Sequence, residues 1–217
     1  MNMIAIREYR DRDGHSPFSE WHKNLHAEAA RKITTALYRV GLGNFSNVKS
    51  VGFGVLECKI NFGPGYHVDF GWRNQATTAK RYPGCGRTLG RLQKQKETRE
   101  RRGISMALTR DFRETVQARV QNDPAFRKGL LTEAIESLLS GEVALGKELL
   151  RDYINATVGF PQLAGHTKLH VKTLHQMFGL NGNPTASNLF AIVAYLQQAE
   201  GVRFEVRPKA AAASRNR

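Results

Sequence analysis

The stretch Phe160–Phe178, FPQLAGHTKLHVKTLHQMF, predicts two short helices joined by a tight turn. The apolar positions that would pack these helices together are Leu163, Ala164, Leu174, Met177 and Phe178. The polar residues left outside are of the types that reach base edges in the DNA major groove: Thr167, Lys168, His170, Lys172, Thr173, His175 and Gln176. The same pattern also fits an amphipathic helix pair inside a bundle, so both interpretations stay open at this point.

Length and composition set the outer limits for the fold. A chain of 217 residues with 41% hydrophobic content can build one large or two small domains. The short apolar runs predict no membrane helix, and the acidic residues near the start exclude a signal peptide. Cys58 and Cys85 form neither a zinc pattern nor a disulfide framework, so the sequence predicts a cytoplasmic protein with no metal and no cofactor.

The positive charge is concentrated in one segment. The formal net charge is +14, which usually indicates an anionic partner such as nucleic acid. Residues 73–103 contain ten Lys and Arg against two Glu and so contribute +8, whereas residues 1–72 contribute +2 and residues 104–217 contribute +4. The basicity therefore gives little direct support to a nucleic-acid site at 160–178.

The first 71 residues predict a small α+β unit. The expected elements are a strand at Met3–Tyr9, a helix capped by Ser16 with Pro17 at its first position, a helix at Ala27–Val40, a strand at Val51–Phe62 and its partner at Tyr66–Phe70. The turn between the last two strands would be made by Gly63-Pro64-Gly65.

Within this unit, the residues Phe18-Ser19-Glu20-Trp21, Gly43-Asn44-Phe45, Val48-Lys49 and Phe62-Gly63-Pro64-Gly65-Tyr66 carry a family resemblance. The run resembles the RelE/ParE superfamily of toxins, in particular the HigB-like addiction module killer proteins. The likeness covers residues 3–71, about the first two-thirds of such a toxin. It implies a small antiparallel sheet packed on two helices and, in many relatives, cleavage of mRNA on the ribosome.

Lys59 and His67 are the candidate catalytic residues that the resemblance implies for the open face of the sheet. Metal-free RNA cleavage needs a base for the ribose 2′-hydroxyl and cations for the phosphorane. Both residues stand where relatives often have arginines, and neither keeps the bidentate guanidinium fork. They also fit ordinary surface residues of a sheet, so the sequence favours a vestigial site.

The resemblance stops at Gly71. Residues 72–105 have sparse apolar residues without strand periodicity and predict a disordered basic linker. With a suitable choice of codons, the frame shifted by one base reads as the missing toxin C-terminus and terminates just before Met106. We infer that a deletion fused two adjacent genes. The nucleotide sequence tests this hypothesis, because it shows whether the shifted frame encodes the toxin C-terminus.

Residues 106–207 predict an all-α bundle that is complete in itself. The first three expected helices are Asp111–Val120, one begun by Asp123-Pro124 with an apolar stripe from Phe126 to Leu139, and Val143–Ala156. The helix pair at 160–178 follows. A last helix is capped by Thr185 and carries Leu189, Phe190, Ile192, Val193 and Leu196. Val202–Val206 predicts a short strand, and 208–217 a disordered tail.

This half resembles the HigA-like addiction module antidote proteins, which contain a helix-turn-helix. The residues on which this resemblance rests are LLRDYINATVGF at 149–160, Gln162-Leu163-Ala164, Lys172-Thr173-Leu174, Gly182-Asn183-Pro184-Thr185-Ala186 and Asn188-Leu189-Phe190. Two histidines, His166 and His175, depart from the expected pattern and put the operator sequence in doubt. The fold class expected for the chain is thus an incomplete N-terminal α+β domain joined to a C-terminal helix-turn-helix bundle.

The two resemblances together imply a toxin–antitoxin protein. The expected function is sequence-specific autorepression by the antidote-like half, with a truncated and inactive toxin-like half. The expected partners are operator DNA, a cognate or self toxin domain and a second copy of the chain, with no membrane. The alternative is an active mRNA endoribonuclease held inactive by its fused antidote, which alone would involve RNA or the ribosome.

Overall fold

The computed structural model describes residues 4–11, 13–52, 54–71, 109–179 and 181–207. The predicted linker at 72–105 and the predicted tail at 208–217 lie outside these residues. The chain divides into two compact units, of which unit 1 ends at Thr157 and unit 2 begins at Val158. Unit 1 combines residues from both sides of the predicted linker, and the assignment of domains at 1–71 and 106–207 stays a prediction.

The described residues form eight helices and two small antiparallel sheets. In unit 1 the elements are β1 (Arg7–Tyr9), α1 (Pro17–Asn24), α2 (Ala27–Gly41), β2 (Val48–Gly52), β3 (Val55–Ile60), β4 (Tyr66–Gly71), β5 (Thr109–Asp111), α3 (Phe112–Asn122), α4 (Pro124–Leu139) and α5 (Val143–Ala156). In unit 2 they are α6 (Gly159–Thr167), α7 (Val171–Met177) and α8 (Ala186–Glu200).

The helix starts follow the predicted caps. The Ser16 hydroxyl accepts from the Ser19 amide at 3.1 Å, and the Asp123 carboxylate accepts from the Phe126 amide at 3.0 Å. Such caps satisfy backbone donors that the first turn of a helix leaves without a partner. The predicted starts of α1 and α4 are therefore confirmed.

The predicted strand at Val51–Phe62 is wrong, because this run contains a turn. Gly52 and Gly54 take left-handed φ angles of +96° and +74°, so the chain reverses between β2 and β3. The three strands β2, β3 and β4 form one antiparallel sheet in that order. β1 does not join it but pairs with β5, where Arg7 lies opposite Asp111.

The core of unit 1 lies where α2, α4 and α5 pack together. Fully buried side chains from all three helices meet there, including Ile33, Leu130, Leu131, Leu149 and Ile154. α4 and α5 approach so closely that a β-carbon on Gly146 would lie 2.6 Å from Leu138 Cγ. One predicted core residue, Leu139, is instead 59% exposed because it lies on the outer side at the end of α4.

Polar contacts also join the N-terminal elements to α3–α5. The Arg31 guanidinium lies 2.8 Å from the buried Glu133 carboxylate, and the Lys32 ammonium lies 3.1 Å from it. The Arg119 guanidinium donates to the backbone oxygens of His22 and Leu25 at the end of α1. The helices α3–α5 therefore share their core and their buried charges with residues 4–71, and the expected self-contained core of the second half is a wrong prediction.

Unit 2 is built from α6, α7 and α8. Of the apolar residues that α8 carries, Ile192, Val193 and Leu196 are buried, whereas Phe190 is 65% exposed. The predicted strand at Val202–Val206 is also wrong: residues 202–207 form no regular element. In the part of the chain described, no helix is long and apolar enough to cross a membrane.

Candidate nucleic-acid interface

The predicted helix pair is present as α6 and α7, joined by a turn at residues 168–170. Leu163 of α6 and Leu174 and Phe178 at α7 are each 0% exposed, and the Phe160 and Phe178 rings lie 5.9 Å apart. Burial of one aliphatic or aromatic side chain contributes about 2 kcal/mol, so this seam fixes α7 against α6. The apolar spacing thus places one side of each helix inside and leaves the other to solvent.

The polar residues predicted as DNA contacts occupy that outer side. Those that are exposed are Lys168, His170, Lys172, His175 and Gln176. Thr167 and Thr173 are half-buried, and the Thr167 hydroxyl donates to the Leu163 carbonyl at 2.8 Å. The hydrogen of Thr167 is therefore occupied within α6, and the exposed members are the ones placed to reach a ligand.

Two histidine rings are held by aromatic neighbours. The centroid of the His175 ring lies 4.3 Å from that of Phe160, and the His166 ring stacks on Tyr195 at 4.3 Å with 24° between the planes. Such contacts restrict ring orientation, so His175 presents its edge from a defined position. Sequence reasoning singled out both histidines without predicting these ring contacts.

The segment after α7 closes against its end. A β-carbon on Gly182 would lie 2.1 Å from the Gln176 backbone oxygen and 2.3 Å from that of Met177, so only glycine fits there. The approach leaves an open groove of about 490 Å³ lined by Thr173, Gln176, Met177, Gly179, Asn181, Gly182 and Asn183. The Gly182-Asn183-Pro184-Thr185 motif, expected only as a turn and cap, thus shapes the surface next to two predicted contacts.

Lys59 and His67 lie on the outer face of the three-stranded sheet. They are directly opposite each other on β3 and β4, and both are exposed. Sequence reasoning missed Glu57, whose Oε1 lies 3.0 Å from His67 Nδ1 and 2.9 Å from Lys49 Nζ. The Lys49 ammonium, followed by the His67 ring, lowers the pKa of the Glu57 carboxyl.

Glu57 was not predicted as a site residue, because a single acidic residue in a strand of alternating polarity looks like any solvent-exposed side chain. The pairing of β3 with β4 alone brings it beside His67. The contact places a carboxylate beside the imidazole ring that lies opposite Lys59.

A third group of titratable residues is buried between α2, α3 and α5. The Tyr38 hydroxyl donates to Asp152, and the Arg113 guanidinium lies 3.4 Å from the same carboxylate and also pairs with Glu148. Burial raises the pKa of Tyr38 well above its usual value and also raises the pKa of Asp152. Asp152 is 1% exposed, so this cluster holds helices together and offers no ligand access.

Potential metal ligands are grouped at one place among the described residues. Single ligand atoms of Asp11, Asp13 and His15 lie within 4.8 Å of one another. The Asp11 carboxylate already accepts from the backbone amides of Asp13 and His15, at 3.0 and 2.8 Å. The group is therefore explained as a turn held by an aspartate side chain.

Comparison with known proteins gives a short likeness. No family model matches the chain. An uncharacterized protein of Haemophilus influenzae is 46% identical over 46 residues, which make up 21% of this chain and 44% of that protein. The chain therefore spans less than half the length of the curated relative it matches. No solved structure matches.

Proposed function

We propose that this chain is a toxin–antitoxin protein whose unit 2 binds operator DNA sequence-specifically and represses its own locus. The observation that carries the proposal is the α6–turn–α7 pair, whose apolar seam is buried while Lys172, His175 and Gln176 stay exposed on α7. Lys and Gln are suited to guanine and adenine edges in the major groove, respectively. In this proposal residues 1–71 are a truncated toxin-like domain without activity, and two copies of the chain bind an inverted repeat.

The experiment compares the full chain on the promoter DNA of its own locus with a scrambled duplex of equal length. Fluorescence anisotropy at about 0.15 M salt measures both affinities. Lys172→Ala combined with Gln176→Ala should weaken operator binding by about thirtyfold or more, since the two base contacts contribute about 1–3 kcal/mol each.

The matched control is Lys128→Ala combined with Gln121→Ala, which removes the same two side-chain types from exposed positions in unit 1. This control should bind as the unchanged chain does. Equal affinity of the unchanged chain for the promoter and the scrambled duplex would refute sequence-specific repression.

A second candidate function is favoured by the Glu57–His67 contact. In this alternative the chain is an mRNA endoribonuclease, held inactive by its antidote-like half. His67 Nε2 would take the proton of a ribose 2′-hydroxyl, and Lys59, opposite it in register, would stabilise the phosphorane charge. The 2′-oxygen would form the new bond to phosphorus, the bond from phosphorus to the 5′-oxygen would break, and solvent water would protonate that leaving oxygen. The Glu57 carboxylate, with Oε1 3.0 Å from His67 Nδ1, would balance the positive charge that the ring gains when it takes the proton.

Incubation of residues 1–105, which lack the antidote-like half that would hold the ribonuclease inactive, with translating ribosomes and a labelled mRNA tests the alternative. The principal proposal expects no cleavage. Cleavage that disappears in His67→Ala and Lys59→Ala, but persists when the exposed Asp69 on the same strand is changed to Ala, would establish the ribonuclease instead.

A further inference from the structure

The turn between α6 and α7 contains an unusual backbone conformation at Lys168. Its φ and ψ angles are 57° and 22°, in the left-handed region. Nine other described residues have positive φ angles, and all nine are glycines. Within the described part of the chain, Lys168 is thus the one residue with a positive φ angle that is not a glycine.

A β-carbon in this conformation crowds the following carbonyl oxygen, which is why glycine is preferred there. Glycine is also the residue that commonly occupies the turn of a helix-turn-helix. A lysine at this position therefore destabilises the turn relative to glycine, and its side chain needs another reason to be present.

Contacts within the fold do not supply that reason. Lys168 is exposed and forms no ion pair with any residue that the structure describes. Elsewhere in the same unit, the carboxylate of Glu205 pairs with Arg207 at 2.8 Å. The ammonium group of Lys168 is therefore available to an external anion.

The position of the turn indicates which anion. In a helix-turn-helix, residues at the start of the second helix reach base edges, so the turn immediately before that helix lies over the flanking sugar–phosphate backbone. Lysine binds phosphate as a point charge and carries no base information there. We propose that Lys168 contacts a DNA phosphate beside the bases that α7 reads. This assignment rests on the proposed DNA-binding function.

Replacement of Lys168 by glycine should stabilise the fold of unit 2 and weaken its binding to DNA. In the full chain, Lys168→Gly should raise the folding equilibrium constant of unit 2 about fivefold, because the left-handed strain disappears. It should also weaken binding to promoter and scrambled DNA by the same factor, about eightfold at 0.1 M salt, and lower the slope of log K against log[salt] by about 1. The ratio of the two affinities should not change.

Two further variants separate charge from conformation. Lys168→Asn tolerates the left-handed backbone but lacks the charge, so it should lose affinity as Lys168→Gly does. Lys168→Arg keeps the charge and should retain the affinity and the salt slope.

Unchanged affinity and slope in both Lys168→Gly and Lys168→Asn would overturn the phosphate contact while leaving DNA binding by unit 2 intact. A changed promoter-to-scrambled ratio would also overturn it, because it would make Lys168 a base-reading residue. Absence of DNA binding by the unchanged chain would refute this contact and the proposed function together.

Discussion

Acidification should destabilise unit 1 through one buried histidine. His22 is 0% exposed in α1, where its ring stacks on Phe18 at 5.7 Å and meets the edge of Phe126 at 5.8 Å. Its Nε2 lies 3.1 Å from the Thr34 hydroxyl oxygen, whereas its Nδ1 is buried without a hydrogen-bond partner. A second proton on this ring would therefore introduce a charge and a donor that no neighbour accepts.

Burial, followed by the nearby Arg119 cation, lowers the pKa of His22 from 6.5 to about 4. The unfolded chain then binds a proton at a higher pH than the folded chain does. Stability contributed by the neutral ring is complete above pH 6.5 and is lost progressively as the pH falls to about 4. A shift of this size corresponds to about 3 kcal/mol, since one pKa unit equals about 1.4 kcal/mol.

Urea unfolding between pH 7.5 and about 4 measures the effect. Trp21 reports on unit 1 when Trp72 is replaced by Phe, because Trp21 packs on Phe18 and Tyr66. The control is His22→Gln in the same background, which keeps a polar side chain without a titration near neutral pH. Titrations of Glu8 and Asp152 occur in both proteins and cancel in the difference.

The free energy of unfolding of the histidine protein should fall, relative to that of the glutamine variant, by about 3 kcal/mol over this range. A difference that stays constant from pH 7.5 to about 4 would refute the assignment of a buried, neutral imidazole.

Two pairs of substitutions, each with its own control, test the packing through the free energy of unfolding. Glu133→Gln should lower the free energy of unfolding of unit 1 by about 3 kcal/mol, because it leaves two cations beside a 6% exposed side chain without their counter-charge. Glu114→Gln, which breaks a pair whose carboxylate is 57% exposed, should cost under about 1 kcal/mol, and equal effects of the two would contradict the assigned burial. Gly182→Ala should destabilise unit 2 by about 2–3 kcal/mol, because the new methyl group meets backbone oxygens. Gly165→Ala, with open space around it in α6, should stabilise the helix by about 0.5–1 kcal/mol, and thermal unfolding distinguishes the two signs.

Helix ends were predictable where a short polar side chain caps them. Ser16, Asp123 and Thr185 each accept a backbone amide of the first turn, so the signal and the structure lie within three residues of each other. The strand at Val51–Phe62 was mispredicted because apolar periodicity continues through Gly52 and Gly54, where the backbone reverses. Alternation of apolar and polar residues does not reveal a turn when the same alternation continues in the strands before and after that turn.

Contacts between distant parts of the chain could not be predicted from local patterns. The pairing of β1 with β5 joins residues about a hundred positions apart, and each strand is too short for its sequence pattern to predict the pairing. The exposure of Phe190 and Leu139 has the same origin, because a helix stripe shows which residues could be buried but not how far the neighbouring helix extends. For the candidate site, the exposed face of α7 followed from periodicity, whereas Glu57 and the Gly182 approach needed the tertiary structure.

The shared core of residues 4–71 and α3–α5 has a consequence for stoichiometry. If the two segments were separate polypeptides with this interface, their ratio would depend on the relative rates of their synthesis and degradation. Any excess of one polypeptide would expose its interface to solvent. In one chain the ratio is fixed at one to one, and the effective concentration of each segment for the other is independent of expression level. Only unfolding of unit 1 uncovers the packed faces of α2, so the exposed fraction is set by the free energy of unfolding alone.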